Sequence, residues 1–169
     1  IGWIAAHMVD VNLGAGFTGS LFGGVKWRNQ QDGINHRIEP AYLIPLVPFR
    51  PTEFSLGSPD NVLMGAQLVW RGKGRSTGNT RTFYTQILFD ELLIDNLMEG
   101  GWWANKWGVL SGGSLASRSG KWRVSLEGSA VRPFTYSHGN EIQSWTHAHK
   151  PIGPPLGSNF VDLILRVRW

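Results

Sequence analysis

The sequence predicts an all-β fold of antiparallel strands, and three observations support this prediction. In the last nine residues, apolar side chains occupy every second position from Val161 to Trp169, with mostly polar residues between them. Because side chains alternate between the two faces of a strand, this pattern gives the segment one apolar face. The same alternation recurs in earlier segments, which is the second observation. The third is that polar, Gly-containing stretches separate those segments, as hairpin turns require.

Four earlier segments each predict one strand with an apolar and a polar face. In chain order, their apolar rows are Phe17, Leu21, Val25 and Trp27; Val62, Met64, Ala66, Leu68 and Trp70; Phe83, Ile87 and Phe89; and Trp122, Val124, Leu126, Gly128 and Ala130. Leu88 breaks the alternation in the third segment. Turns are predicted at 29–33, 72–79 and 117–120. At the spacing typical of barrels, the chain accommodates about eight strands.

Two segments do not have a strand pattern. Residues 40–51 contain four of the nine Pro, which remove donors from a strand ladder and predict a rigid loop or a short edge piece. Residues 90–101 fit a helical turn that ends at Gly100. We therefore expect loop insertions near 40–60 and 90–101.

Composition favours a membrane barrel over a soluble β-sandwich, which would also need Gly-rich turns and large core residues. Charged residues make up 17% of the chain, whereas soluble domains have about 25%, and there are 22 Gly and nine Trp. Aromatic residues concentrate at the membrane boundary in outer-membrane barrels. We predict an antiparallel transmembrane β-barrel of the outer-membrane type over residues 1–169. Because Ile1–Ile4 has the pattern of a mid-strand segment, we expect the strands of this chain to be part of a larger barrel.

Other classes of structure and partner fit less well. The uncharged run 11–25 contains five Gly and is shorter than the roughly 20 apolar residues that a transmembrane helix needs. Cysteine is absent, so disulfides and thiol chemistry are excluded. The net charge is +4, but Lys and Arg are scattered, which argues against a nucleic-acid partner. The group Arg71, Lys73 and Arg75 fits either attraction for acidic saccharides and lipid phosphates or a solvated loop.

Several motifs resemble one known family. The segment Arg132-Pro133-Phe134-Thr135-Tyr136-Ser137-His138, after a strand bearing Glu127, resembles a C-terminal signature of gliding-motility protein RemB and its relatives. Those proteins are similar to the capsule assembly protein Wzi family of outer-membrane barrels. Further segments that resemble this family are 42–45, Arg50-Pro51, 55–61, Asp90-Glu91, 102–107, 155–160 and Asp162.

The resemblance implies the C-terminal portion of a longer barrel in the bacterial outer membrane. It implies a non-enzymatic role in surface polysaccharide (capsule) attachment or assembly, or in gliding motility. The expected partners are outer-membrane lipid and lipopolysaccharide, surface polysaccharide and other envelope protein subunits. One alternative is a structural barrel subunit of a larger envelope complex. Another is an outer-membrane lipid hydrolase, but adjacent Ser137 and His138 point to opposite faces of a strand and no nucleophile elbow is present.

Three sets of polar and aromatic residues are candidates for functional sites. Aromatic faces beside hydrogen-bonding groups suit glycans, and the polysaccharide-binding candidates are Tyr136, His138, Asn140, Trp145 and Asn159. Interface anchoring and turn capping explain the same residue types. A structural network of charges inside the barrel is expected from Asp90, Glu91, Asn105, Lys106 and Glu127. His138, His147 and His149 are close enough in sequence to be considered as metal ligands, although no Cys accompanies them. No cofactor is predicted.

Overall fold

The computed structural model describes residues 2–28, 30–31, 34–35, 40–44, 49, 60–90, 106–138, 144–147 and 150–169. Seven long strands form the main sheet: β1 (Gly2–Gly14), β2 (Phe17–Arg28), β5 (Asn61–Lys73), β6 (Thr80–Asp90), β7 (Lys106–Ala116), β8 (Arg123–Val131) and β11 (Phe160–Arg168). The remaining elements are the short pairs β3 (Gln30–Gln31) with β4 (Ile34–Asn35) and β9 (Thr146–His147) with β10 (Lys150–Pro151), and the 3-10 turn Pro40–Leu43. Among the described residues, no helix is long and apolar enough to cross a membrane.

The main sheet confirms the predicted all-β fold of antiparallel strands. Its order is β1-β2-β5-β6-β7-β8-β11, and each strand is antiparallel to its neighbours. Within the described residues the sheet is not closed into a barrel, because β1 and β11 are its two edges and do not pair with each other, so the transmembrane barrel stays a prediction. Seven long strands are also one fewer than the roughly eight of the smallest bacterial barrels. A closed wall requires further strand pairing at these edges.

The strand register divides the main sheet into a polar face and an apolar face. Directly opposite residues in an antiparallel pair share a face, so one cross-sheet row can be followed through every strand. One row on the polar face, which crosses all seven strands, is Asn12, Thr18, Val69, Tyr84, Gly112, Glu127 and Ile164. The five alternating patterns in the sequence are confirmed by this register, and Leu88 lies on the polar face with Tyr84.

The connections between the long strands differ in length at the two ends of the sheet. Tight connections at 15–16, 74–79 and 117–122 define the short-turn end, whereas 29–60, 91–105 and 132–159 define the long-loop end. At the first turn, Ala15 and Gly16 have φ of 49° and 86°, the left-handed values that a tight hairpin turn favours. A side chain on Gly16 would come within 2.2 Å of the Arg71 carbonyl oxygen, so only glycine fits there.

The described residues 40–44 and 49 lie on the apolar face at the long-loop end. Residues Pro40–Leu43 form the 3-10 turn, and its Tyr42 is completely buried, as is Val25 of β2. The ring of Tyr42 lies 5.0 Å from that of Trp27, and its hydroxyl donates a hydrogen bond to Asp60 at 2.5 Å. Phe49 joins the same cluster. The described part of the first predicted insertion therefore covers one end of the apolar face, while residues 45–48 and 50–59 of it, and residues 91–101 of the second insertion, lie outside the described residues.

The polar face is the side of the sheet that the connection between β8 and β11 contacts. Lys26 of β2 donates from Nζ to the carbonyl oxygens of Ser144 and Thr146, which belong to the connection between β8 and β11. Three strands lie between β2 and β8 in the sheet order. The described part of this connection therefore lies over the polar face and contacts it from β2 to β7.

Candidate functional site

Three buried charged residues at the long-loop end hold the connection 132–159 against the polar face. We call Lys26, Asp90 and Lys106 the loop clamp; they lie at the ends of β2, β6 and β7. Asp90 is fully buried and lies opposite Lys106 in the register. Buried charges are stable only when paired or hydrogen-bonded, so these three need the partners that the connection supplies.

Each clamp residue bonds a different part of the connection. Asp90 accepts a hydrogen bond from the Tyr136 backbone N–H at 2.8 Å, and its other oxygen lies 3.4 Å from Nε2 of His138. Lys106 donates from Nζ to the Ser137 carbonyl at 3.0 Å. Together with the Lys26 bonds to Ser144 and Thr146, these contacts tie both sides of the loop to the sheet.

The clamped loop has an unusual backbone. Phe134 and Tyr136 have φ of 64° and 70°, which cost bulky residues about 1 kcal/mol or more each. Local bonds hold these conformations: the Ser137 N–H donates to the Phe134 carbonyl at 3.0 Å, and the Trp145 N–H donates to the Tyr136 carbonyl at 2.8 Å. The Asp90 carboxylate adds its bond to Tyr136, so the surrounding contacts offset the strain.

Burial changes the acidity of the Tyr136 side chain. Its ring lies against Gly153, where an added Cβ would be 3.4 Å from the phenol carbon. Burial raises the pKa of the Tyr136 phenol above its ordinary value of 10.0, and the negative charge of Asp90 raises it further. The hydroxyl is therefore neutral and able to donate a hydrogen bond throughout the physiological pH range.

Trp145 anchors the far side of the loop to β2. Its side chain is only 4% exposed, and a Cβ on Gly24 would lie 3.0 Å from its Cη2 atom. Gly24 is thus the position that lets the indole approach the sheet closely. The indole packs against protein, which leaves little of its ring surface for a sugar.

A second polar group lies nearer the middle of the polar face. Tyr84 donates from its hydroxyl to Glu127 at 2.5 Å, and Arg166 lies 3.6 Å from the other Glu127 oxygen. Gly112 separates Tyr84 from Glu127 in the register, and a Cβ there would lie 2.6 Å from the Tyr84 hydroxyl. The missing side chain therefore opens the path by which the phenol reaches across β7. In the next strand pair, Ser129 donates to Asp162.

A cavity of about 410 Å³ separates this polar group from the clamped loop. Gln86, Glu127 and Asp162 line it from the sheet, and Tyr136 and Leu156 line it from the connection. Carboxylates, an amide and apolar surfaces meet here, which are the groups that orient small polar ligands in pockets.

The apolar face is exposed over most of its area. In β11, Leu163 is 73% exposed, while Asp162 and Ile164 beside it on the polar face are partly buried. In β8, Leu126 is 48% exposed. The same pattern, with the apolar face more exposed than the polar face, continues in β6. There the polar-face residues from Thr82 to Leu88 are less exposed than their apolar-face neighbours. In a water-soluble sheet the apolar side chains are the covered ones.

Aromatic side chains on the apolar face are concentrated near its two ends. The long-loop belt consists of the register pairs Trp3 with Trp27 and Phe89 with Trp107. The short-turn belt contains the row Phe17, Trp70 and Phe83, flanked by Trp122 before β8 and Trp169 after β11. The rings of Trp70 and Phe83 are 5.7 Å apart. Aliphatic residues fill the band between the belts, among them Leu21, Leu68, Ile87, Val109 and Leu163.

The structure brings some of the predicted polysaccharide-binding residues together. Tyr136 and His138 meet at Asp90, and Trp145 is bonded to Tyr136 through the backbone. Asn159 is exposed, has φ of 61°, and its N–H donates to the Arg132 carbonyl at 3.4 Å. Asn140 lies outside the described residues. The described members thus belong to one loop, in which Asn159 is exposed and Tyr136 is partly buried and lines the cavity.

The predicted charge network occupies two places. Asp90 and Lys106 belong to the loop clamp, and Glu127 belongs to the group with Tyr84 and Arg166. Glu91 and Asn105 lie outside the described residues. Lys26 and Tyr84 are not among the predicted site residues. The alternation along β2 and β6 indicates that they lie on the polar face, but no local signal indicates their distant partners.

The structure offers no metal cluster in the part of the chain that it describes. There, no three His, Asp or Glu side chains are grouped so that they could hold an ion. His138 pairs with Asp90, His147 is described only by its backbone in β9, and His149 is outside the described residues. The Ser137 hydroxyl donates to the Phe134 carbonyl at 2.9 Å.

Comparison of the chain with models of known protein families, with curated proteins and with solved structures found no match in any of the three.

Proposed function

We propose that this chain forms wall strands of a bacterial outer-membrane β-barrel, with the apolar face toward lipid and the polar face toward the lumen. The observation that carries the proposal is the inverted exposure of the two faces, seen at Leu163 and Asp162. Leaving a continuous row of leucine and valine in water is unfavourable by about 25 cal/mol for each Å². Contact with lipid removes this cost and leaves the polar face hydrated.

The strand lengths and the aromatic belts support the same proposal. The long strands contain 9 to 13 residues, and a tilted transmembrane strand needs about 9–11. From Thr80 to Asp90 the strand β6 runs about 34 Å, which at a tilt of roughly 45° spans about 24 Å of membrane. This is close to the apolar band of about 25 Å in known barrels.

The connections indicate the orientation of the wall. Outer-membrane barrels have short periplasmic turns and longer extracellular loops. By this rule the short-turn end faces the periplasm and the clamped loop lies at the cell surface. The 3-10 turn with Tyr42 then covers the part of the apolar face that extends beyond the lipid.

At the cell surface, the clamped loop is the proposed contact for polysaccharide. The resemblance to the Wzi and RemB proteins implies a role in capsule attachment or in gliding motility, without catalysis. Tyr136 supplies a neutral hydroxyl, and Asn159 supplies an exposed amide. The clamp holds these groups in place, so a glycan meets a preorganised surface.

A second candidate function is that of a structural subunit in a larger envelope complex. It is favoured by the two strand edges β1 and β11, whose outer backbone groups pair with no strand in the part of the chain that the structure describes. A neighbouring chain that pairs with these edges would extend the wall without any glycan contact.

Single-cysteine labelling tests the membrane wall, since the native chain has no Cys to interfere. Leu126→Cys and Ser125→Cys lie on opposite faces of β8 and form a matched pair. We expect a fluorophore on Leu126→Cys to be quenched by lipid-borne nitroxides, and one on Ser125→Cys to be quenched by a water-soluble quencher. If both positions are quenched only from water in membranes containing the protein, the wall proposal is wrong.

A capsule-retention assay separates the two candidate functions. The double variant Tyr136→Phe with Asn159→Gly removes a hydroxyl and an amide, and Gly keeps the backbone of residue 159 relaxed. Ser76→Gly, an exposed turn residue at the opposite end, is the control. Weaker retention in the double variant alone supports glycan contact. Unchanged retention, with the labelling pattern intact, supports the structural subunit.

A further inference from the structure

The short-turn end of the polar face carries two adjacent rows that contain five cations and no carboxylate. We call them the basic rows. The first row across the strands β5, β6, β7, β8 and β11 is Arg71, Thr82, Ser114, Ser125 and Arg166. The second is Lys73, Thr80, Ala116, Arg123 and Arg168.

The cations of the basic rows are accessible. Arg71, Lys73, Arg123 and Arg168 are exposed and form no ion pair with any described residue. Arg166 is bonded to Glu127, which lies on its inner side, in the direction of the cavity. Like charges collected on one surface create a positive potential that attracts an anion.

The geometry of the basic rows suits an extended ligand. Four strand spacings separate β5 from β11, which is about 19 Å along the sheet at about 4.8 Å each. The cations lie at the two sides, and three hydroxyl residues of the first row lie between them: Thr82, Ser114 and Ser125. Ala116 is the one apolar side chain in the two rows, so they offer hydrogen bonds and charge with little surface for an apolar ligand.

We propose that the basic rows bind an acidic polysaccharide, one with a carboxylate or phosphate on its repeating units. Guanidinium groups bind such anions with paired hydrogen bonds, and the hydroxyls bind the sugar oxygens. The proposal rests on the proposed function, because the barrel wall makes these rows the luminal surface at the periplasmic end. Arg166 belongs to the basic rows and also lines the cavity, so the two sites adjoin each other on the polar face.

The position of the cations disfavours lipid phosphate as their ligand. All five lie on the polar face, opposite the face that is proposed to contact lipid. Arg81 lies at the same end but on the apolar face, and Arg75, Arg118 and Lys121 lie in the turns. These four are the cations placed for lipid headgroups.

Two triple variants with equal charge change test the proposal. The row variant is Lys73→Gln, Arg123→Gln and Arg168→Gln, and the turn variant is Arg75→Gln, Arg118→Gln and Lys121→Gln. Binding of oligogalacturonate to the protein in detergent is measured at low and at physiological salt, with uncharged malto-oligosaccharide as the control ligand. We expect the row variant to lose at least about tenfold in affinity and most of its salt dependence, while the turn variant stays within about twofold.

The other outcomes overturn the inference. Equal losses in both variants would mean a diffuse charge effect, and equal binding of the uncharged sugar would mean that the cations do not recognise the ligand. Binding to phosphatidylglycerol vesicles that the row variant loses, without any loss for oligogalacturonate, would assign the rows to lipid. In separate preparations without saccharide, labelling of Leu126→Cys and Ser125→Cys tells whether the barrel wall itself has failed or only this site.

Discussion

Removing the Asp90 carboxylate is expected to release the connection 132–159 from the sheet. Asp90 is fully buried, and it accepts the Tyr136 N–H at 2.8 Å and faces His138 Nε2 at 3.4 Å. A hydrogen bond to a charged group contributes about 1.5–3 kcal/mol, and the longer His138 contact contributes less. In Asp90→Ala, the Tyr136 N–H also loses its partner. We therefore expect the closed loop to become less stable by about 3 kcal/mol relative to the open loop, which raises the population of the open loop by about two powers of ten.

Limited proteolysis and hydrogen exchange of the loop measure this change. Exchange at the amides of Tyr136 and Trp145 should accelerate by about a hundredfold in Asp90→Ala, and cleavage within 132–159 should follow. Asp10→Ala removes the same charge from an exposed position of β1 and should leave both rates unchanged. If the loop in Asp90→Ala resists exchange and cleavage as well as it does in the native protein, while the sheet stays folded, the loop clamp does not hold the loop against the sheet.

Three further changes have expected outcomes that follow from the same contacts. Gly112→Ala should destabilise the protein by about 1–3 kcal/mol in denaturant unfolding, because its Cβ would lie 2.6 Å from the Tyr84 hydroxyl, whereas Gly128→Ala, with its nearest contact at 3.5 Å, should be nearly neutral. Asn159→Val should cost about 1–3 kcal/mol because φ is 61°, and Asn159→Gly should not; equal stability of the two would contradict this reading. Because the pKa of Tyr136 is raised in the folded loop, the stability that its neutral phenol contributes is complete below pH 10 and is lost as the pH rises through the folded pKa. Exchange of the loop amides should therefore accelerate above pH 10 in the native protein and less so in Tyr136→Phe.

Much of the strand architecture was predictable because it depends on the order of apolar and polar residues within short segments. The alternation of apolar and polar side chains has a period of two residues, so it can be read from any short segment, as in Trp122 to Ala130. The register confirms the same faces. The covering role of Tyr42 was not predictable, because the Pro-rich segment indicates a loop but not the surface on which that loop rests.

The candidate site was predictable in its residue types and not in its contacts. Tyr136, His138 and Asp90 were singled out, but in two separate sets, and the structure joins them through direct bonds. The role of Lys26 could not be predicted, because its bond to Ser144 joins residues that are 118 positions apart in the sequence. Glu127 was expected in one network with Asp90 and is instead bonded to Tyr84 through the space that Gly112 leaves.

By itself, the sequence determined that long strands form and which side chains share each face, since both follow from the backbone geometry of neighbouring residues. Only the tertiary contacts show that Tyr42 covers one end of the apolar face while most of that face stays open, and that Lys26, Asp90 and Lys106 meet one loop. These properties depend on the order of seven strands, and no local pattern encodes which distant surface a loop covers or which distant carbonyl a buried charge will find.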